Sequence, residues 1–359
     1  MKILHVTTHF YPFVGGLENL VLSIATEQAK THEVTILTLK YDKSLPNEEV
    51  VDGVKIIRLP AIRLLKNQYS IPRLGFSRKV RELNSDVLFT HTRFFITSAL
   101  AGFSNPGSKM KEKFETGFVS NNTWIHVEHG QNFVEAKNIF LKLGARLLDL
   151  TIGKFIFRKA DKIVVLGERG REFVNNLAGR KDNVFVISNG VKIPVTKNAP
   201  RKNKALFFGR IIPEKGVGEI IEAAKSIPNW TFDIYGKGGI LGSKDNVVFH
   251  GEITPDQVST KIQESDLVIL PSWSEGNSLA VLEAAANARP ILATPVGQNE
   301  KVISPEFLIP VGNVEKMVEK LDKFEGSFDT LEREGLKNRE IIKKDFSFKE
   351  MVRKYEDLV

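Results

Sequence analysis

Short apolar runs of strand length alternate with amphipathic stretches through the first half of the chain. The first run, Lys2–Thr7, is followed by a stretch whose apolar residues recur at helical spacing, namely Leu17, Leu20, Val21 and Ile24. Further strands are predicted at Glu33–Leu39, Val54–Leu59, Asp86–Thr90, Thr123–Glu128 and Lys162–Leu166. Strands that alternate with helices form a parallel sheet covered on both faces. The first half of the chain therefore predicts a doubly wound α/β domain.

The same alternation starts again after a polar stretch that contains proline. We interpret residues 190–203 as a linker, and we predict the next strands at Ala205–Gly209, Thr231–Tyr235, Val247–His250, Leu267–Leu270 and Pro290–Ala293. A chain of 359 residues is also longer than one hydrophobic core usually supports. The pattern predicts two doubly wound domains, residues 1–190 and 203–342, and an amphipathic helix from about Glu340 to Val359. Ligands of such sheets bind beyond the carboxyl ends of the strands, so two facing sheets would line one central cleft.

The net charge of +8 is divided unevenly between the two halves. Residues 1–190 carry a net charge of +9, and residues 191–359 carry −1. Part of the excess lies in Gly53–Arg81, which has eight basic residues and no acidic one, and Asn138–Lys159 is also apolar and basic. Such segments suit an anionic partner, and we expect peripheral association with the cytoplasmic face of a membrane. A solvated basic face beside a core strand explains the same pattern.

Composition limits the cellular locations and the kinds of metal or disulfide site that we expect. No apolar run approaches 18 residues, so we predict neither a transmembrane helix nor a secretory signal. The absence of cysteine excludes disulfides and thiolate metal sites, and the cytosol is the expected location.

Candidate ligand-binding residues fall directly after predicted strands. Gly15 and Gly16 follow the first strand and open a helix, where free N–H groups and close backbone approach suit a polyanion. Arg210 and Lys215, in GRIIPEKG, combine a bidentate fork with a point charge, which suits a diphosphate. A tight turn and two surface cations are the plainer interpretations of the same residues.

The segment PSWSEGNSLAVLEA carries the strongest candidate. Glu275 lies in a loop after a strand, Asn277–Leu279 begin a helix, and Glu283 follows Glu275 by eight residues. The helix start would present N–H groups to a phosphate, and each carboxylate could accept from sugar or ribose hydroxyls. A helix capped by Ser278 explains the same pattern without a ligand.

His129 ends the strand TWIHVEHG and is a candidate for contact with a sugar. His126, on the same strand, is interpreted as a structural residue.

Together these residues resemble glycosyltransferase family 4. The resemblance rests on HFYPFVGG, VEHG, NGV, FFGRIIPEKG, YGKGG and PSWSEGNSLAVLEA, and the last is similar to the family's E-x7-E signature, here Glu275 and Glu283. It implies the GT-B fold, in which two Rossmann-like domains face a central cleft and a terminal helix, here about residues 343–359, crosses back to the N-terminal domain. Ala288 stands where the family pattern has glycine.

The resemblance also implies a role for each candidate. Gly15, Gly16, Arg210, Lys215 and the backbone at Asn277, Ser278 and Leu279 would hold the donor's diphosphate, and Gly236 and Gly276 would join them in the donor site. Glu275 would contact the transferred sugar, Glu283 the ribose and His129 the sugar near its reactive face. Catalysis would thus rest on His129, Glu275, Arg210 and Lys215.

The implied reaction is retaining transfer of a hexose from a UDP- or GDP-linked sugar to a hydroxyl of a glycan or lipid-linked acceptor. No acidic pair of DxD type falls at a strand end of the donor half, so neither a metal nor another cofactor is expected.

Three other functions are open at this point. A sugar-nucleotide 2-epimerase would also hold a nucleoside diphosphate, with His129 as its only clear acid or base. A protein that binds nucleic acid or another polyanion would explain the basic half but not Glu275 and Glu283. A nicotinamide dehydrogenase is less favoured, because neither first-strand turn reads GxGxxG. We therefore expect no nucleic-acid partner.

Overall fold

The structure is a computed structural model, which describes residues 1–12, 16–64, 69–104, 122–130, 133, 139–239, 245–275 and 277–359. The chain divides into two compact units. The first unit is Met1–Ser188 together with Val352–Val359, and the second unit is Asn189–Met351.

The first unit is built on a sheet of eight strands. Its strands are β1 Lys2–Val6, β2 Glu33–Leu39, β3 Glu48–Val51, β4 Val54–Leu59, β7 Val87–His91, β8 Thr123–Glu128, β9 Lys162–Val165 and β10 Val184–Val186, and β5 Ala61–Leu64 and β6 Tyr69–Pro72 form a separate hairpin. The order β10-β9-β8-β7-β1-β2-β4-β3 is parallel apart from the antiparallel edge strand β3. The helices are α1 Gly16–Gln28, α2 Phe76–Leu83, α3 Ile96–Ser104, α4 Ile139–Leu148, α5 Lys154–Lys159 and α6 Glu168–Ala178, and a π-helical turn, Asp149–Gly153, joins α4 to α5.

The second unit is built on a sheet of five parallel strands in the order β13-β12-β11-β14-β15. These strands are β11 Lys204–Phe208, β12 Thr231–Tyr235, β13 Val247–Gly251, β14 Leu267–Leu270 and β15 Ile291–Ala293. The helices are α7 Val217–Ala224, α8 Pro255–Gln263, α9 Leu279–Ala286, α10 Val314–Phe324, α11 Phe328–Asp345 and α12 Phe348–Glu356. Short 3₁₀ turns lie at Pro213–Lys215, Asn299–Lys301 and Pro305–Phe307.

Every strand predicted from an apolar run is present, and the prediction of two doubly wound α/β units is confirmed. These strands could be predicted because a parallel strand that is covered on both faces is apolar along its whole length. β7 and β14, for example, are buried at every position. The sequence did not predict β3, β10 or the β5–β6 hairpin. β3 reads Glu-Glu-Val-Val on an exposed sheet edge, so it has no apolar run to reveal it.

The segment interpreted as a linker belongs to the second unit. The side chain of Arg289 donates to the carbonyl oxygens of Lys197 and Asn198, and Arg339 donates to that of Pro194. These contacts fix residues 190–203 as part of that unit rather than as a free connection.

The terminal helix predicted from Glu340 is two helices, because the chain opens at Phe346–Ser347 to pair with Val191. Val191 donates its N–H to the carbonyl oxygen of Phe346 at 3.0 Å, and Phe348 donates to that of Val191 at 2.9 Å. Only residues from Val352 onward cluster with the first unit, rather than the whole of residues 343–359. Within the described residues, no helix is long and apolar enough to cross a membrane.

Candidate active site

Three central strands of the second unit bring predicted site residues to the same sheet edge. Arg210 follows β11, Gly236 follows β12 and Glu275 lies in the loop after β14, and these strands are neighbours in the order β12-β11-β14. Because the strands are parallel, their carboxyl ends lie side by side, where ligands of this kind of sheet bind. The Arg210 side chain is exposed and hydrogen-bonds no described residue.

Lys215 and Glu275 form an ion pair, with Lys215 Nζ 2.5 Å from Glu275 Oε1 and both side chains mostly buried. Backbone contacts between their loops hold the pair in place. Trp273 donates its N–H to the carbonyl oxygen of Glu214 at 2.9 Å. Gly216 has φ +73°, and a Cβ there would lie 2.3 Å from the carbonyl oxygen of Pro271, so only glycine allows this approach. A cation and a hydroxyl-accepting carboxylate are therefore fixed beside each other.

Gly236 occupies a crossing of two backbone segments. Its φ is +154°, and a Cβ would lie 1.7 Å from the carbonyl oxygen of Gly209. Its own N–H donates to the carbonyl oxygen of Gly251 at 2.7 Å. This close approach explains the glycine by itself, and the part of Gly236 in donor binding stays a prediction.

The start of α9 has unused hydrogen-bonding capacity. Ser278 is the N-cap residue, but its side chain makes no capping hydrogen bond, so capping by Ser278 was the wrong interpretation. Leu279 opens the helix directly behind it. Three polar atoms near this end of the helix are buried without a partner: Asn277 Nδ2, Asn189 Oδ1 and Ser272 Oγ. Buried polar groups are nearly always paired, so a bound ligand or an ordered water would complete these three atoms.

Asn189 is a further candidate site residue that the sequence did not single out. Its Nδ2 donates to the carbonyl oxygen of Asn277 at 3.4 Å, which leaves its Oδ1 unpaired beside the loop. The signal was the motif NGV, residues 189–191, which contributed to the family resemblance but gave Asn189 no role of its own.

Glu283 projects from α9 in a largely buried position. Burial raises its pKa from 4.5 to about 7, since no cation compensates for the lost hydration. The pKa is therefore poised near neutrality, a property that occurs often in ligand-binding sites.

The first unit holds the remaining candidates. Gly16 is the first residue of α1, so its position at a helix start agrees with the prediction. Gly15 of this unit and Gly276 of the second lie outside the described residues.

His129 follows β8 directly and is half-buried. Its Nε2 lies 3.5 Å from Nδ1 of His91, whose Nε2 lies 3.1 Å from Nδ1 of His5. Burial lowers the pKa of His129 to about 4, so the imidazole is neutral at physiological pH.

Beside His129 lies a fully buried ionic network. Arg93 donates to Glu128 Oε1 and to Asp149 Oδ1, each at 2.7 Å. Burial alone would raise the pKa of Glu128, but Arg93 and a hydrogen bond from His126 lower it to about 2. His126 is fully buried and also contacts Thr90 Oγ1 at 2.9 Å, in agreement with its structural interpretation.

Comparison with known proteins distinguishes a glycosyltransferase from the three other functions that the sequence left open. Residues 14–193 match the family described as Glycosyltransferase Family 4, and residues 191–335 match the family described as Glycosyl transferases group 1. The chain belongs to glycosyltransferase family 4. It is therefore an enzyme that transfers a sugar, and the alternatives outside the glycosyltransferases are set aside.

Relatives of this family 4 chain match either its full length or part of it. It is 24% identical to an uncharacterized glycosyltransferase of Methanocaldococcus jannaschii, over 100% of this chain and 98% of that protein. It is also 24% identical to the UDP-Gal:alpha-D-GlcNAc-diphosphoundecaprenol alpha-1,3-galactosyltransferase of Escherichia coli, over 55% of this chain and 58% of that one. Among solved structures, it superimposes on Alr3699/HepE of Anabaena in complex with UDP and glucose. That match has a TM-score of 0.75 and 15% identity, and it covers 100% and 99% of the two chains, which confirms the GT-B fold.

Proposed function

We propose that this family 4 enzyme transfers a hexose from a nucleoside-diphosphate sugar to a hydroxyl of a glycan or lipid-linked acceptor, with retention of configuration and without a metal. One observation carries the proposal, namely the fixed Lys215–Glu275 pair beside a helix start whose polar side chains lack partners. UDP is the nucleotide we favour, because the similar Anabaena protein binds UDP and the Escherichia coli relative uses UDP-Gal.

The diphosphate would be held by groups that are open to a ligand. The exposed guanidinium of Arg210 provides a bidentate fork, and the N-terminus of α9 provides backbone N–H groups and the positive end of the helix dipole. Lys215 Nζ can add a point charge, and Oε2 of Glu275, the oxygen that does not pair with Lys215, can accept from the sugar hydroxyls. We propose that Glu283 accepts from the ribose and that Asn277 Nδ2 donates to the ligand.

These groups suit the charge that builds up in the reaction. The bond between the anomeric carbon and the phosphate oxygen breaks, which leaves negative charge on the diphosphate and positive character on the sugar ring. The acceptor oxygen bonds to the same face of the anomeric carbon, and its proton passes to the departing phosphate oxygen. Cations and N–H groups that are already in place around the leaving group stabilise its negative charge in the transition state.

Metal independence and retention are tested separately from binding. We expect full activity in EDTA, and loss that Mg²⁺ or Mn²⁺ restores would contradict the assignment of the leaving-group charge to Arg210, Lys215 and α9. NMR of the new glycosidic bond should show the anomeric configuration of the donor, and an inverted product would exclude front-face transfer.

Donor identity is tested by thermal shift with a matched panel of UDP- and GDP-linked hexoses. A bound ligand stabilises the native state by an amount that grows with its affinity, so the true donor should raise the melting temperature most. The variant Arg210→Met should abolish that shift without lowering the melting temperature of the free enzyme. A shift that survives in Arg210→Met would place the donor elsewhere.

We further propose that the first unit docks on an anionic membrane surface through α4 and the π-helical turn. Leu143, Leu147 and Leu150 recur at helical spacing and are 60%, 63% and 48% exposed. The only acidic residue in 139–159 is Asp149, which is buried and paired with Arg93. The segment thus offers leucines and basic residues without an exposed acid, a combination typical of interfacial helices. A lipid-linked acceptor, like that named for the Escherichia coli relative, would be reached from such a surface.

The other basic stretch, Gly53–Arg81, offers fewer unpaired charges to an anionic membrane than its sequence suggested. Arg58 of Gly53–Arg81 is buried and pairs with Glu49, and Lys55 pairs with Glu48 at 3.0 Å. Both acidic partners lie on β3, the strand that the sequence did not predict, so two of the eight charges are neutralised.

Co-sedimentation with liposomes tests the membrane proposal. The enzyme should bind vesicles that contain phosphatidylglycerol at low salt, bind less at high salt, and not bind neutral vesicles. The triple variant Leu143→Ser, Leu147→Ser, Leu150→Ser should lose binding, whereas Leu336→Ser, an equally exposed leucine of the second unit, should not. Equal, negligible binding of the wild type to both vesicles would contradict the proposal.

A further inference from the structure

Three histidines of the first unit, of which His5 and His91 are fully buried and His129 is half-buried, form a line of contacts that begins at Gln28. Oε1 of Gln28 lies 2.8 Å from Nε2 of His5. Nδ1 of His5 lies 3.1 Å from Nε2 of His91, and Nδ1 of His91 lies 3.5 Å from Nε2 of His129. We call Gln28, His5, His91 and His129 the histidine line. Its members come from the end of α1, from β1, from the end of β7 and from the residue after β8.

The protons along this line must be ordered. Burial lowers the pKa of His5 to about 4, that of His129 to about 4, and that of His91 well below its usual value. All three rings are therefore neutral at pH 7, and a neutral imidazole has one nitrogen that donates and one that accepts. Once one nitrogen in the line is assigned, the other nitrogens follow.

Gln28 makes that assignment, because its Oε1 can only accept a hydrogen bond. Nε2 of His5 therefore carries its proton, and Nδ1 of His5 accepts from Nε2 of His91. Nδ1 of His91 then accepts from Nε2 of His129 across the longer contact. Nδ1 of His129 is left as a lone pair, and no described residue hydrogen-bonds it.

Gln28 is not explained by stability alone. The side chain is fully buried, and its Nε2 has no partner. A buried donor without an acceptor destabilises the folded state, and a small apolar residue at this position would avoid that cost. A role for Gln28 Oε1, which contacts His5, would explain why a glutamine stands at this otherwise unfavourable position.

We propose that Gln28 is a positioning residue that sets the tautomer of His129 through His5 and His91. His129 is thereby a neutral acceptor at Nδ1, suited to a hydroxyl of the transferred sugar, and it adds no positive charge beside a ring that becomes positive. The consequence for the sugar rests on the proposed function, whereas the tautomer is a property of the free enzyme.

The tautomer is measured by long-range ¹H–¹⁵N NMR of the full chain at pH 7.5 with ¹⁵N-labelled histidine. The chain has only seven histidines, and His129→Asn identifies the signals of His129 by their loss. We expect a pyridine-type Nδ1 and a pyrrole-type Nε2 for His129 in the wild type. Gln28→Met, which removes the acceptor at similar volume, should give a mixture of tautomers and lower kcat about two- to tenfold, as expected for one hydrogen bond, with little change in the donor KM.

A second variant and a control keep the test decisive. His91→Phe retains a ring between His5 and His129 but interrupts the line, so it should mix the tautomers of His129 even if Gln28→Met does not fold. Thr97→Val removes the buried hydrogen bond of 2.7 Å between Thr8 and Thr97, off the line, and should leave His129 unchanged. A pyrrole-type Nδ1 in the wild type, or the wild-type tautomer in both line variants, would overturn the proposal. If the tautomer is as expected but a bound donor does not move the His129 signals, the line stands and the role of His129 at the sugar fails.

Discussion

In the first unit, Arg93 is fully buried together with both of its carboxylate partners, whereas in the second unit Arg210 is exposed and hydrogen-bonds no described residue. The carboxylates differ in the same way. Glu128 has a cation beside it and a pKa of about 2, while Glu283 has none and a pKa of about 7. Arg93 and Glu128 of the first unit thus satisfy each other, whereas Arg210 and Glu283 of the second unit keep capacity for a ligand. We propose from this comparison that the donor is recognised chiefly by the second unit.

The largest expected effect contrasts the two arginines. Arg93→Met should lower the free energy of unfolding by about 3–5 kcal/mol, because Glu128 and Asp149 would stay buried without a cation. Arg210→Met should change it by less than about 0.5 kcal/mol, since an exposed side chain without partners is lost, yet it should abolish donor binding. Urea unfolding of both variants checks this pair. Similar stability losses in the two would erase the distinction between the units.

The two glutamates should give opposite pH dependence of stability. The folded pKa of Glu283 lies above the unfolded value, so its contribution is full below pH 4.5 and is lost as pH rises to about 7, by up to roughly 3 kcal/mol. The folded pKa of Glu128 lies below the unfolded value, so its contribution is lost as pH falls from 4.5 to about 2. Above pH 7, Glu283→Gln should therefore be more stable than the wild type. Parallel pH profiles of Glu283→Gln and the wild type between pH 4.5 and 7 would contradict the raised pKa.

The smallest of these effects concerns catalysis in the second unit. Glu275→Ala and Glu283→Ala should each lower kcat/KM about ten- to a hundredfold, because a charge-assisted hydrogen bond to the ligand contributes about 1.5–3 kcal/mol. Initial rates with the preferred donor, beside circular dichroism to verify the fold, measure this. Transfer at the wild-type rate in either variant would remove that glutamate from the site.

Local patterns were sufficient for the strands and for part of the site. Apolar runs marked the buried strands, and residues placed directly after them, such as Arg210 and Glu275, do lie at adjacent strand ends. The Lys215–Glu275 contact joins residues 60 positions apart, and only the order β11-β14 brings their loops together. The sequence named both residues, but it did not predict that they pair.

The histidine line was beyond a sequence pattern for a related reason. His5 and His91 are separated by 86 residues and meet because β1 and β7 are neighbours, with His5 in register with Phe89. A shift of one residue in that register would turn the two rings to opposite faces of the sheet. The break between α11 and α12 was hidden in the same way, since it depends on Val191 from a distant part of the chain.

The division of the chain into units also has a consequence for its synthesis. The first unit includes residues 352–359, where Lys162 Nζ donates to the carbonyl oxygen of Leu358 at 2.6 Å and the buried ring of Tyr355 lies 6.2 Å from that of Phe89. Translation delivers that closing segment only after all 163 residues of Asn189–Met351 have been made. Until then the first unit lacks the buried side chains of Tyr355 and Leu358, although every residue of the second unit has been synthesised. During biosynthesis, the unit that starts first is the one that finishes last.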